Sequence, residues 1–124
     1  MAVTTLVLIF ISVTLSALAQ WSFKVGVSGE PVRLAMQDGS VVSQVLAFAL
    51  SPPILLGLAM YGVGTILWLG VLSRVELSQA YPFVGLGFVL TALIGYFAFN
   101  DNFTLVRLLG TILVISGVYL VARG

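Results

Sequence analysis

The sequence predicts an all-α fold, an integral membrane four-helix bundle, and three observations carry that prediction. Of the 124 residues, 60% are hydrophobic and only 7% are charged. Mean hydropathy is +1.21, far outside the range of a soluble domain of this length. The charged residues are also spaced so that residues 2–23, 39–73, 77–100 and 102–122 are nearly free of them. Each such gap reaches the roughly 20 apolar residues a helix needs to cross a bilayer.

The first span is expected at about residues 3–23. It closes on "SALAQWSFK", residues 16–24, where Ala17-x-Ala19 matches the small-residue pattern of a signal-peptide cleavage site. A secretory signal also has a basic leading region, and no Lys or Arg precedes Lys24, so an intact membrane helix is the expectation. Ser12, Ser16, Gln20 and Lys24 recur every four positions and place one polar stripe along that helix. A polar stripe facing lipid is costly, so it should face other helices or a hydrated cavity. For the serines the alternative is back-bonding to carbonyls of their own helix, with Lys24 marking only the membrane boundary. The Gln20 amide needs partners at membrane depth under either reading.

Residues 25–40, "VGVSGEPVRLAMQDGS", hold Gly, Pro, Ser and the charges Glu30, Arg33 and Asp38, and are expected to form the one substantial loop. The long second gap is divided by Pro52-Pro53, since proline suits a first helical turn and is costly inside a helix. The second span is therefore expected at 53–72. Residues 41–50, "VVSQVLAFAL", form a short preceding helix that either lies in the interface or extends that span. The third and fourth spans are expected at 78–99 and 103–122, with Arg107 near enough to its helix start to snorkel to the headgroups. The connections at 73–77 and 100–102 are tight, which makes neighbouring helices antiparallel. Residues 1–124 thus read as a single transmembrane domain.

Small residues and aromatics share faces in these spans. Gly57, Tyr61, Gly64 and Trp68 fall at helical spacing, as do Tyr81, Gly85, Phe88, Ala92 and Gly95. Packing within the chain accounts for most of these glycines. Gly110 and Gly117, two turns apart with Ser116 beside the second, make a seam where another backbone can approach closely. That seam reads equally as intrachain packing or as an oligomer interface.

Composition excludes whole classes of chemistry. With no Cys and no His, disulfides, haem ligation, zinc sites, Cys nucleophiles and Ser-His relays are all removed. No enzyme activity, metal or cofactor is expected. Lys24, Arg33, Arg74, Arg107 and Arg123 stand against Glu30, Asp38, Glu76 and Asp101 for a net charge of +1, which leaves no basic face for a nucleic acid.

The segment "LSQAYPFVGLGFVLTALIGYFAFNDNFTLVRLLGTILVISGVYLVAR", preceded by "WLGVLSRVE" and headed by "LAQWSFK", resembles the small multidrug resistance fold of the drug/metabolite transporter superfamily. The resemblance covers nearly the whole chain apart from the first loop. It is strongest to the four-helix subunits of the flippase that moves undecaprenyl-phosphate-linked aminoarabinose across the bacterial inner membrane for lipopolysaccharide modification. The Leu77-Ser78-x-Ala80-Tyr81-Pro82 turn and the Gly110-to-Gly117 spacing are its most distinctive elements. Drug exporters of the same fold carry a membrane-embedded glutamate where this chain has Ser16, and a tryptophan where it has Val84. Without an intramembrane carboxylate, proton exchange for a cationic drug is not expected.

What the resemblance implies is a multi-pass inner-membrane transporter that flips a lipid-linked sugar. A flippase needs a groove in which a polar headgroup slides while the polyprenyl tail stays in lipid. Ser12, Ser16 and Gln20 would bond sugar hydroxyls, Lys24 would hold the phosphate as a point charge, and Tyr61 and Tyr81 would be cavity walls. Arg74 would hold the phosphate at the opposite leaflet, or else form only a solvated ion pair with Glu76. Loops one and three carry Lys24, Arg33 and Arg107, while loop two and the termini carry Arg74, Arg123 and the terminal amine, so the positive-inside bias is nearly nil. That balance suits an antiparallel homodimer of like chains, and it also fits one subunit of a heterodimer with a similar four-helix partner that fixes the orientation. Two other function classes remain: a small cation or metabolite exporter, and a non-transporting accessory subunit.

Overall fold

The computed structural model describes residues 2–124; the terminal amine, on Met1, lies outside them. The chain is an all-helical membrane bundle. Its elements are α1 (Val3–Val27), α2 (Glu30–Asp38), α3 (Val41–Leu50), α4 (Pro52–Leu72), α5 (Leu77–Ala80), a 3-10 turn (Tyr81–Phe83), α6 (Val84–Phe99) and α7 (Leu105–Arg123). Four stretches among the described residues are long and apolar enough to cross a membrane: Val3–Val27, Pro52–Leu72, Leu77–Phe99 and Leu105–Arg123. The third runs from α5 through the 3-10 turn into α6, and Pro82 sits in that turn, where its missing N–H interrupts regular α-helical bonding.

Residues 25–40 are not a loop, which corrects the expectation above. α1 continues to Val27, and α2 follows after two residues. The Gly, Pro and Ser that read as loop chemistry are helix ends. Glu30 and Pro31 occupy the first turn of α2, where an acidic side chain and a proline are both favourable. Gly39 closes it in the left-handed conformation, φ 77°, which glycine adopts without steric cost. Val32 and Ala35 are buried, giving the segment an inner face.

α3 is a separate helix. Ser40 caps its start through a long bond from the Ser43 amide, 3.5 Å, and the extended backbone of Ser51 (φ −85°, ψ 113°) breaks it from α4, which begins on Pro52. α6 ends on Asn100 at φ 54°, a left-handed cap that Asn tolerates, and the Asp101 amide returns to the Gly95 carbonyl at 3.0 Å. α7 starts on Thr104, whose hydroxyl accepts from the Arg107 amide at 3.2 Å. The Arg107 guanidinium folds back onto the Asn102 carbonyl at 2.6 Å, so it stays at the helix start.

α1 is the organising helix, packed against both α4 and α6. Its contact with α4 is close because glycines remove side chains at the crossing. A Cβ placed on Gly57 would stand 2.7 Å from the Phe23 ring and 3.1 Å from the Ala19 carbonyl oxygen. One placed on Gly64 would stand 3.4 Å from the Ser12 carbonyl oxygen. Ser12 donates to the Gly64 carbonyl at 2.7 Å, and Ser22 donates to the Pro53 carbonyl. α6 meets α7 where Gly85 receives Val114 and Val118. Ile9, Val13, Val71, Ala80, Phe83 and Val118 form one buried cluster, drawn from all four spans near the 73–76 connection.

Candidate functional site

α4 and α6 both pack on α1, and between them lies a groove of about 420 Å³. α1 supplies Ser12, Val13, Ser16, Ala17 and Gln20; α4 supplies Tyr61, Gly64, Thr65 and Trp68; Tyr81 and the α6 residues Val84, Gly87, Phe88 and Thr91 complete the wall. Ser12 and Ser16 are near the middle of α1, so the groove sits at mid-membrane depth. Val13 belongs to the buried cluster and Trp68 packs against it.

Helix geometry explains the α1 contribution. Residues four apart stand one above another on a helix, and the groove takes three successive members of that row. Their states differ. Ser12 is buried and spends its proton on Gly64 of α4, so it ties two helices together and does not back-bond within α1. Thr65 and Thr91 donate to the carbonyls of Tyr61 and Phe88, within their own helices, at 2.8 and 2.9 Å. Ser16, half-buried, and Gln20, exposed, present a hydroxyl and an amide to the groove.

No lining residue is charged. Ser16 and Val84 face this space together with Tyr61 and Tyr81. Two hydroxyphenyl groups and an indole bring flat surfaces with polar edges, suited to stacking on a ring that carries hydroxyls.

Five of the seven residues expected from sequence to bind the substrate thus line one groove: Ser12, Ser16, Gln20, Tyr61 and Tyr81. Lys24 does not line the groove; it is exposed in the last turn of α1, about 6 Å of helix rise beyond Gln20. Arg74 lies at the opposite end, in a surface hollow with Glu76, Ser78 and Gln79. Gly110 and Gly117 are exposed on α7, and a Cβ on either would meet nothing within 4 Å. Sequence reasoning missed Thr65 and Thr91 as lining residues. Thr65 lies four residues from Tyr61 and Thr91 three from Phe88, a spacing too weak to single them out in helices that are apolar all round.

The chain is 38% identical over 76 residues to the probable 4-amino-4-deoxy-L-arabinose-phosphoundecaprenol flippase subunit ArnE of Pseudomonas syringae pv. syringae (strain B728a), covering 61% of this chain and 70% of that protein. The subunit of the same description from Pseudomonas savastanoi pv. phaseolicola is 38% identical over 79 residues, 64% of this chain and 69% of its own. That of Pseudomonas fluorescens is 41% identical over 68 residues, 55% and 60% of the two chains. No family model matches the chain, and no solved structure does.

Proposed function

The chain belongs to the family of 4-amino-4-deoxy-L-arabinose-phosphoundecaprenol flippase subunits, and from that premise we propose that it is a non-enzymatic transport subunit carrying a polyprenyl-phosphate-linked sugar across the bacterial inner membrane. The observation that carries this reading is the uncharged groove between α4 and α6, polar and aromatic at mid-membrane depth. A sugar entering it exchanges water for the Ser16 hydroxyl, the Gln20 amide and the faces of Tyr61, Trp68 and Tyr81, while its polyprenyl tail remains in lipid between the helices. Because no cation lines the groove, the phosphate is held at its ends, by Lys24 at one leaflet and Arg74 at the other. A lipid-linked sugar of the aminoarabinose type fits: its own phosphate balances its ammonium, so the groove need not supply a carboxylate. A cation exporter is disfavoured because the groove offers no carboxylate.

The open glycine seam on α7 supports a second four-helix subunit, either another copy of this chain or a similar one, packed over Gly110 and Gly117.

Native mass spectrometry of the chain, purified from its own membrane in mild detergent, tests the reading. A retained polyprenyl-phosphate sugar on an assembly of two subunits is the expected result. Bulk phospholipid on a monomer would overturn it. In liposomes carrying the assembly, Lys24→Glu should reduce translocation of a fluorescent polyprenyl-phosphate sugar at least tenfold with insertion unchanged; full activity would remove Lys24 from the path.

A further inference from the structure

α3 is turned inside out with respect to a water-exposed helix. Its two polar residues, Ser43 and Gln44, are half-buried on the side that faces the protein, together with Ala47 and Phe48. Its outward side is wholly apolar: Val41, Val42, Val45, Leu46, Ala49 and Leu50 are all exposed, Leu50 to 78%. On a helical projection these six fall in one continuous arc of about 180° at 100° per residue. A helix bathed in water carries the opposite arrangement.

The flanks fit a membrane location. No charged residue occurs between Asp38 and Arg74. α3 has 10 residues and is thus about 15 Å long, half of the roughly 30 Å hydrocarbon thickness. Its central backbone groups pair within the helix, the Ser40 hydroxyl and carbonyl accept from the Ser43 and Gln44 amides, and the Phe48 carbonyl accepts from Ser51, the internal pairing that lipid favours. It joins α4 at Ser51, level with the last turns of α1, where Ser22 bonds Pro53 and Gly26 abuts Ile54. α2 precedes it with Glu30, Arg33 and Asp38 all exposed, which holds α2 at headgroup level.

The outward face of α3 also differs from the one a protein would cover. Contacts between membrane helices are rich in small residues that let backbones approach. α7 offers Gly110 and Gly117 on its open side, whereas α3 offers branched aliphatic side chains and a single Ala.

We infer that α2 and α3 form a half-membrane hairpin, with α3 sunk into the acyl-chain region of one leaflet and its outward face covered by lipid. This placement concerns position alone, so it stands or falls independently of what the chain transports.

The chain has no native cysteine, so single spin labels can be placed directly. Val42→Cys, Val45→Cys, Leu46→Cys and Ala49→Cys, each labelled in the full chain in phosphatidylethanolamine/phosphatidylglycerol liposomes, are compared with Arg33→Cys on α2. Collision rates with oxygen, which partitions into acyl chains, and with a water-soluble nickel chelate report the surroundings. The expected result is oxygen collision severalfold above nickel collision at all four α3 positions, and the reverse at position 33. Nickel collision at the α3 positions equal to that at position 33 would overturn the inference by placing α3 in water. Immobilised labels shielded from both reagents would overturn it by placing a protein partner there. All four sites are exposed, so a label at each leaves the bundle's packing intact, and each position reports separately.

Discussion

Two pairs of glycines, each seven residues apart, mark α4 and α7, and they meet opposite surroundings. Gly57 and Gly64 are buried, their missing side chains replaced by Phe23, Ala19, Ser12 and Leu15 of α1. Gly110 and Gly117 face open space. In lipid there is no hydrophobic drive bringing one apolar helix to another, so close contact depends on small residues and interhelical hydrogen bonds. The α4 seam has both, with Ser12 bonding across it. The α7 seam has the small residues alone, and the Ser116 hydroxyl beside it returns to the Ile112 carbonyl of its own helix at 2.8 Å. The contrast teaches that identical spacing specifies a close-approach surface, while the rest of the chain decides whether that surface is used inside the subunit or offered to another.

The sharpest way to break the comparison is Gly57→Leu. Its Cβ already overlaps the Phe23 ring and crowds the Ala19 carbonyl, and a backbone oxygen cannot move aside without shifting α1. Overpacking of this kind costs about 1–3 kcal/mol, read as an earlier midpoint in SDS unfolding followed by circular dichroism. An unchanged midpoint would mean the seam is not tight.

Next in size, Gly117→Leu should leave that midpoint within about 0.5 kcal/mol of the parent, as expected for an exposed site. The same substitution should shift the assembly from two subunits to one by native mass spectrometry; an intact assembly would place the interface elsewhere. A small loss, and no change in assembly, is expected from Ser12→Ala, which removes one interhelical bond worth about 0.6 kcal/mol on average between membrane helices. A loss several times larger in SDS unfolding would show that Ser12 also supports the groove.

What the sequence made legible follows from how membrane helices are built. Charge gaps and prolines marked the four spans, because an apolar run has only one way to satisfy its backbone in lipid. The row Ser12, Ser16, Gln20 was legible because helical rise and turn are fixed locally. The rotation of α4 and α6 about their own axes was not. Their apolar residues are spread around the whole helix, so lipid-facing and protein-facing sides look alike, and Thr65 and Thr91 gave no periodic signal strong enough to place them in the groove. α2 was hidden for a different reason. Its helix is short, and the Gly, Glu-Pro and Gly that bound it are the residues of loops as well as of caps. Lys24 continues the polar row in sequence, yet the groove stops one turn short of it.

The connection between α6 and α7 carries a consequence for that open seam. Residues 100–104 are pinned at both ends: the Asp101 amide holds the Gly95 carbonyl, Arg107 holds the Asn102 carbonyl, and the Phe103 ring stands edge-on to Tyr96 at 6.3 Å. A tether this short keeps α7 beside α6 at an effective concentration in the millimolar range or above, roughly that of short linkers in general. α7 therefore does not need an extensive contact of its own to stay in the subunit. It can present its glycine side outward as a permanent vacancy in the wall, kept in register by five residues of chain.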